Sequence, residues 1–78
     1  MKTDLTYAVV LEPQPEGGFT VTVPALPEVV TQGETEQEAI EMVREAIELA
    51  LEVRTERGEE IPVPSGTVLR HVTVALAA

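Results

Sequence analysis

FTVTVPALPEVVTQGETEQEAI, residues 19–40, decides the fold. Phe19, Val21 and Val23 alternate with Thr20 and Thr22. Period two with β-favouring residues on both faces predicts a strand. Pro24 and Pro27 then bracket Ala25 and Leu26. Each proline fixes φ and lacks an N–H, so the ladder must stop and the chain turn a stiff corner. Val29, Val30 and Thr31 resume a short strand, and Gly33 is read as permitting a tight turn out of it. Thr35 with Glu38 three residues on is a capping box: the hydroxyl accepts a free helix N–H and the glutamate reaches back to the N–H of the cap. Glu34, Glu36 and Glu38 complement the positive end of the helix dipole.

Working outward, Thr6 to Leu11 reads as a first strand, with Tyr7, Val9 and Leu11 on one face and Ala8 and Val10 on the other. Residues 12–18, EPQPEGG, form an exposed hairpin connection. Its prolines stiffen the start and Gly17 and Gly18 permit positive φ at the end. A helix is predicted from about Glu36 to Arg57, stopped by Gly58 at C′. At about 100° per residue, Ile40, Ile47, Leu51 and Val43 begin an apolar arc. Ala39, Ala46 and Ala50 continue it, and Val53, Met42 and Leu49 close its far edge. The arc spans roughly 200°, wider than an ordinary surface helix needs. Glu41, Glu45, Glu48 and Glu52 form the opposing stripe, a mild repulsive cost to the free monomer. Met42, Leu49 and Val53 are either the shoulder of a helix covering a whole small sheet or an interface between copies of the chain. Residues 59–66, EEIPVPSG, read as a stiff extended connection, and Thr67 to Leu76 as a last strand. Val68, Val72, Val74 and Leu76 share one face of that strand with Arg70; Leu69, His71, Thr73 and Ala75 share the other. The predicted architecture is α+β, a small β-β-β-α-β domain over residues 1–78, with a mostly antiparallel sheet and one long helix on one face.

With 78 residues, the chain has the size of one domain with a small core. Without cysteine there is no disulfide framework and no thiolate metal site. No apolar run approaches the roughly 20 residues of a membrane span, and the N-terminus lacks a signal-peptide core. A cytoplasmic location is the default expectation. Fourteen acidic residues against five basic ones, net −9, disfavour direct nucleic-acid binding, which needs a basic patch. The same balance suits either a basic protein partner or simple solubility.

Residues for chemistry are scarce. His71, the sole histidine, sits in the predicted last strand with no carboxylate near it in sequence. Ser65 lacks a nucleophile-elbow context, the glycines make no phosphate loop, and Asp4 is the sole aspartate. The expectation is a protein with no enzymatic activity, no cofactor and no metal.

The ordered set Tyr7, Glu12-Pro13, Gly17-Gly18-Phe19, Val23-Pro24-Ala25-Leu26-Pro27, Thr31-Gln32-Gly33-Glu34-Thr35, Glu38-Ala39, Ala46-Ile47 and Ile61-Pro62-x-Pro64 resembles the HicB-like antitoxin family, specifically its N-terminal domain. The resemblance implies a partial RNase H-like fold without a nuclease carboxylate cluster. It implies a protein that binds and neutralises a small basic mRNA-cleaving toxin of HicA type. Pro24, Pro27, Thr31, Gly33, Thr35 and Glu38 are then structural. Many members carry a C-terminal DNA-binding domain, which these 78 residues are expected to lack. Members commonly have Gly-Cys after the second proline of the corner, where this chain has Glu28 and Val29. Valine suits a buried cysteine position; glutamate gives up the freedom for positive φ. Within the family a solitary homo-oligomeric module with no toxin is the alternative role.

Overall fold

A computed structural model describes residues 4–63 and 66–77. Pro64 and Ser65, named in the sequence reading, lie outside these. Three strands, β1 (Val10–Pro13), β2 (Phe19–Thr22) and β3 (Val30–Gly33), precede one long helix, α1 (Glu36–Glu56). The sheet is antiparallel throughout in the order β1-β2-β3. The α+β arrangement matches the sequence reading through the helix.

The hairpin joining β1 to β2 closes with the Gln14 N–H donating to the Gly18 carbonyl at 2.9 Å and the Gly17 N–H to Gln14 at 3.0 Å. Gly17 and Gly18 take positive φ, as expected from their place in the loop. Register aligns Leu11, Val21 and Thr31 in one row and Pro13, Phe19 and Gly33 in the next, both on the face toward α1.

The proline corner is two consecutive turns. The Leu26 N–H donates to Val23 at 3.0 Å and the Val29 N–H to Leu26 at 2.9 Å, so Pro24 and Pro27 each occupy the second turn position. A fixed φ near −65° is what that position requires. The corner carries core as well as shape: Val21, Val23, Leu26 and Val29 are buried with Ala39 and Val43 of α1. Fully burying a side chain such as Leu26 stabilises by about 1.5–3 kcal/mol.

The helix ends match expectation closely. Thr35 is extended and its Oγ1 accepts from the Glu38 N–H at 3.0 Å. The reciprocal half of the box differs: Glu38 Oε1 accepts from the Glu34 N–H at 3.3 Å, one residue before the cap. At the far end Gly58 takes φ 71°. Its N–H donates to Thr55 at 3.1 Å while the Glu59 N–H reaches Arg54 at 2.8 Å, the paired bonds of a Schellman stop.

Gly33 corrects the sequence reading. It does not take positive φ; it lies within β3, where a Cβ would come 2.4 Å from the Ala39 nitrogen and 2.5 Å from its Cα. The glycine is needed because the first turn of the helix rests directly on the strand.

Two strand expectations also change. The ladder of β1 starts at Val10 rather than Thr6. Val10 faces Thr22, so pairing carried further back would bring Ala8 to Pro24, where β2 has no N–H to give. Residues 4–9 instead run without a ladder, with Tyr7 and Val9 packed against the core. The predicted last strand, Thr67–Leu76, forms no ladder, and residues 66–77 are exposed throughout. Alternation gives that segment strand character, but a strand forms only on a ladder partner, and among the described residues the segment pairs with none.

Candidate functional site

Helix α1 presents three longitudinal strips. The strip against the sheet is centred on Ala39 and Val43, both buried. On one side Ile40, Ile47 and Leu51 slope toward the N-terminal segment. On the other side Met42 and Leu49 are 44% and 61% exposed, with Val53 half-buried. Opposite the sheet Glu41, Glu45, Glu48 and Glu52 are all exposed. The structure thus brings the four glutamates into one solvated stripe along about three helical turns. It keeps Met42, Leu49 and Val53 together as an apolar shoulder.

Beside that shoulder lies an open groove of about 510 Å3, lined by Val29, Ala46, Leu49, Ala50 and Val53. Glu28 and Arg54 span one end of it. Arg54 donates from Nε to Glu28 Oε2 at 2.7 Å and from Nη2 to Oε1 at 2.8 Å, a two-pronged ion pair. These hydrogen bonds hold the Glu28 carboxyl below its ordinary value of 4.5 and raise the Arg54 guanidinium above its own. The pair fastens the proline corner to the last turn of the helix. It also gives a structural role to Glu28, the position at which the family resemblance led to an expectation of glycine. Among the described residues no non-glycine residue takes positive φ, Glu28 included, so the second turn of the corner does not need glycine. The carboxylate adds a tie that glycine could not make. The sequence reading noted Glu28 without pairing it to Arg54, because 26 residues separate them and only the helix-to-corner packing brings them together.

Thr31 and Gly33 lie at the joint between sheet and helix. The Thr31 Oγ1 is buried without a hydrogen-bond partner. His71 is exposed in the unpaired C-terminal segment. Among the described residues no three His, Cys, Asp or Glu side chains converge to hold a metal ion, and no helix is long and apolar enough to cross a membrane. The described residues present three surfaces: an acidic stripe, an apolar shoulder with its groove, and a second groove beside the N-terminal segment.

Comparison with known proteins agrees with the corner and cap pattern. The family described as HicB_like antitoxin of bacterial toxin-antitoxin system matches residues 7–73. Antitoxin HicB 1 of Photorhabdus laumondii is 42% identical over 74 residues, 95% of this chain and 48% of that protein. Antitoxin HicB of Escherichia coli K12 is 44% identical over 61 residues, 78% of this chain and 44% of its own length. A UPF0150 protein of Archaeoglobus fulgidus is 44% identical over 61 residues, covering 76% of this chain and 88% of that protein. The chain spans about half the length of the two antitoxins. A match across the strands, the proline corner and the whole of α1 shows that the chain belongs to the HicB-like antitoxin family.

Proposed function

We propose that this chain acts as the toxin-binding part of an antitoxin. It occludes a small basic mRNA-cleaving toxin of HicA type and contributes no catalysis, cofactor or nucleic-acid contact of its own. The observation that carries the reading is the exposed stripe Glu41, Glu45, Glu48 and Glu52 on a chain of net charge −9 that belongs to an antitoxin family. A fixed row of carboxylates steers a basic partner through long-range attraction, which acts on the association rate more than on the final affinity. A cytoplasmic setting and a single domain over residues 1–78 go with this reading.

The test is stopped-flow association with a basic HicA-type toxin. Changing the four glutamates to lysine should slow association at least about tenfold at low salt, with the gap closing as salt screens the field. Rates indifferent both to salt and to charge reversal would reduce the stripe to a solvated face. Binding that persists at a slower rate would locate the occluding contact elsewhere on the chain.

A second reading rests on the exposure of Leu49 and Met42. In it the chain is a homo-oligomeric module that uses Met42, Leu49 and Val53 as its self-contact and has no toxin. Leu49→Glu with Val53→Glu should then lower the mass seen by light scattering. An unchanged mass removes the shoulder as a subunit interface.

A further inference from the structure

Residues 66–77 pose a physical problem for a lone chain. The segment alternates as a strand should, yet Val72, Val74 and Leu76 are 83%, 81% and 95% exposed. The chain's accessible surface is 6530 Å2, where a compact protein of 8.4 kDa exposes about 4,600 Å2. Its radius of gyration is 15.3 Å, against about 11.5 Å for a compact chain of this length. The surplus of about 1,900 Å2 is more than twice the roughly 800 Å2 that each partner gives up in a standard interface.

The same molecule has a vacant place of matching kind. β1 is an edge strand, and residues 4–9 before it run without a ladder. The open edge is backed by a groove of about 670 Å3 whose apolar lining includes Leu5, Tyr7, Val9, Ile47 and Leu51, with Arg44 and Glu48 on its helix side. Such a recess receives one face of an added strand while the edge supplies the ladder. The Tyr7 hydroxyl donates to the Pro62 carbonyl at 2.6 Å, which ties the foot of the C-terminal segment to this edge. Charge fits as well. The segment carries Arg70 and His71 and no acidic residue, whereas Asp4, Glu12 and Glu48 lie about the edge and its groove, against one basic residue there, Arg44.

We propose that residues 67–76 add as a fourth strand to the open edge at residues 5–11 of a second copy of this chain, each copy giving its arm to the other. Reciprocal exchange makes the contact closed and two-fold, so it ends at a dimer. It also covers both the exposed arm and the vacant edge; it meets the acidic stripe at Glu48, which lines the groove, and leaves Glu41, Glu45, Glu52 and the Leu49 shoulder outside it. Within the exchanged dimer each sheet has four strands, which restores the β-β-β-α-β order in space although no single chain supplies it.

The experiment uses the full chain in a concentration series, read by light scattering and by amide hydrogen exchange. The expected result is a mass of twice 8.4 kDa, with slowed exchange at both residues 67–76 and residues 5–11, reverting together on dilution. Val72→Asp with Val74→Asp should return the mass to that of one chain and free both sets of amides, with helical circular dichroism unchanged. An isolated peptide of residues 67–76 in excess should compete the dimer apart. The proposal is overturned by a chain that stays monomeric at high concentration, including one that protects its arm within a single copy. A dimer whose arm amides exchange freely, or one in which the arm is protected and residues 5–11 are not, overturns it equally. Toxin association measured on the monomeric variant reads the antitoxin role separately, because the glutamate stripe is untouched.

Discussion

Residues 19–39 and residues 66–77 are both rich in β-branched residues, and they meet opposite fates. The first run is closed: strand, two proline turns, strand and helix cap put Val21, Val23, Leu26, Val29 and Ala39 out of contact with water. The second is open, with its valines and leucines exposed and no ladder. The difference lies in what stands opposite each segment, since alternation and propensity are alike. β2 has a neighbour on each side and the helix above it. Among the described residues the C-terminal segment has no ladder partner. β-propensity describes fit to a pleated surface with partners, and without partners it leaves apolar side chains in solvent.

Substitutions can break or sharpen this contrast. The largest effect is expected at Leu26→Ala, which empties a fully buried site in the corner. It should cost about 2–5 kcal/mol in urea denaturation, while Val72→Ala in the arm should change the stability of the monomer by no more than about 0.5 kcal/mol. Equal losses at the two sites would erase the distinction between closed and open segments.

Gly33→Ala comes next, because the added methyl group falls within 2.5 Å of the Ala39 backbone. The helix start must shift, at an expected cost of about 3 kcal/mol. A variant as stable as the parent would mean that the helix does not rest on β3.

Thr31→Val should act in the opposite direction. The buried hydroxyl lacks a partner, so an apolar group of the same shape should gain about 1 kcal/mol by thermal or urea unfolding.

The smallest effect is expected from Glu28→Gln. The native Glu28 carboxyl is held below its ordinary value of 4.5 by Arg54. Its stabilising contribution is therefore complete above that value and fades as pH falls through the lower native one. The parent should exceed the variant in stability at neutral pH and converge with it in acid. A gap independent of pH would show that the pair contributes packing alone. Both groups remain partly solvated, at 23% and 44% side-chain exposure, and this keeps the effect modest.

Several parts of the fold were legible because they rest on short-range chemistry. Pro24 and Pro27 can stop a strand wherever they occur, Thr35 with Glu38 marks a helix start, and Gly58 marks its end; each appears within about a residue of its expected place. The glutamate stripe and the apolar shoulder follow from helical periodicity alone. Legibility failed where the reason was a neighbour distant in sequence. Gly33 reads as a turn residue until Ala39 is seen above it. Glu28 reads as a departure until Arg54 is placed beside it. The first strand reads as Thr6–Leu11 until its partner is found to stop at Pro24.

By itself the sequence determined the element types, the corner, the helix ends, the acidic balance and the family resemblance, since each depends on residues a few positions apart or on composition. Only the tertiary structure decided which carboxylate the corner would give to Arg54, why position 33 must be glycine, and that the C-terminal β-forming segment stands without a partner in its own chain. Those outcomes depend on which surfaces meet, and propensity and periodicity carry no information about what lies across the gap.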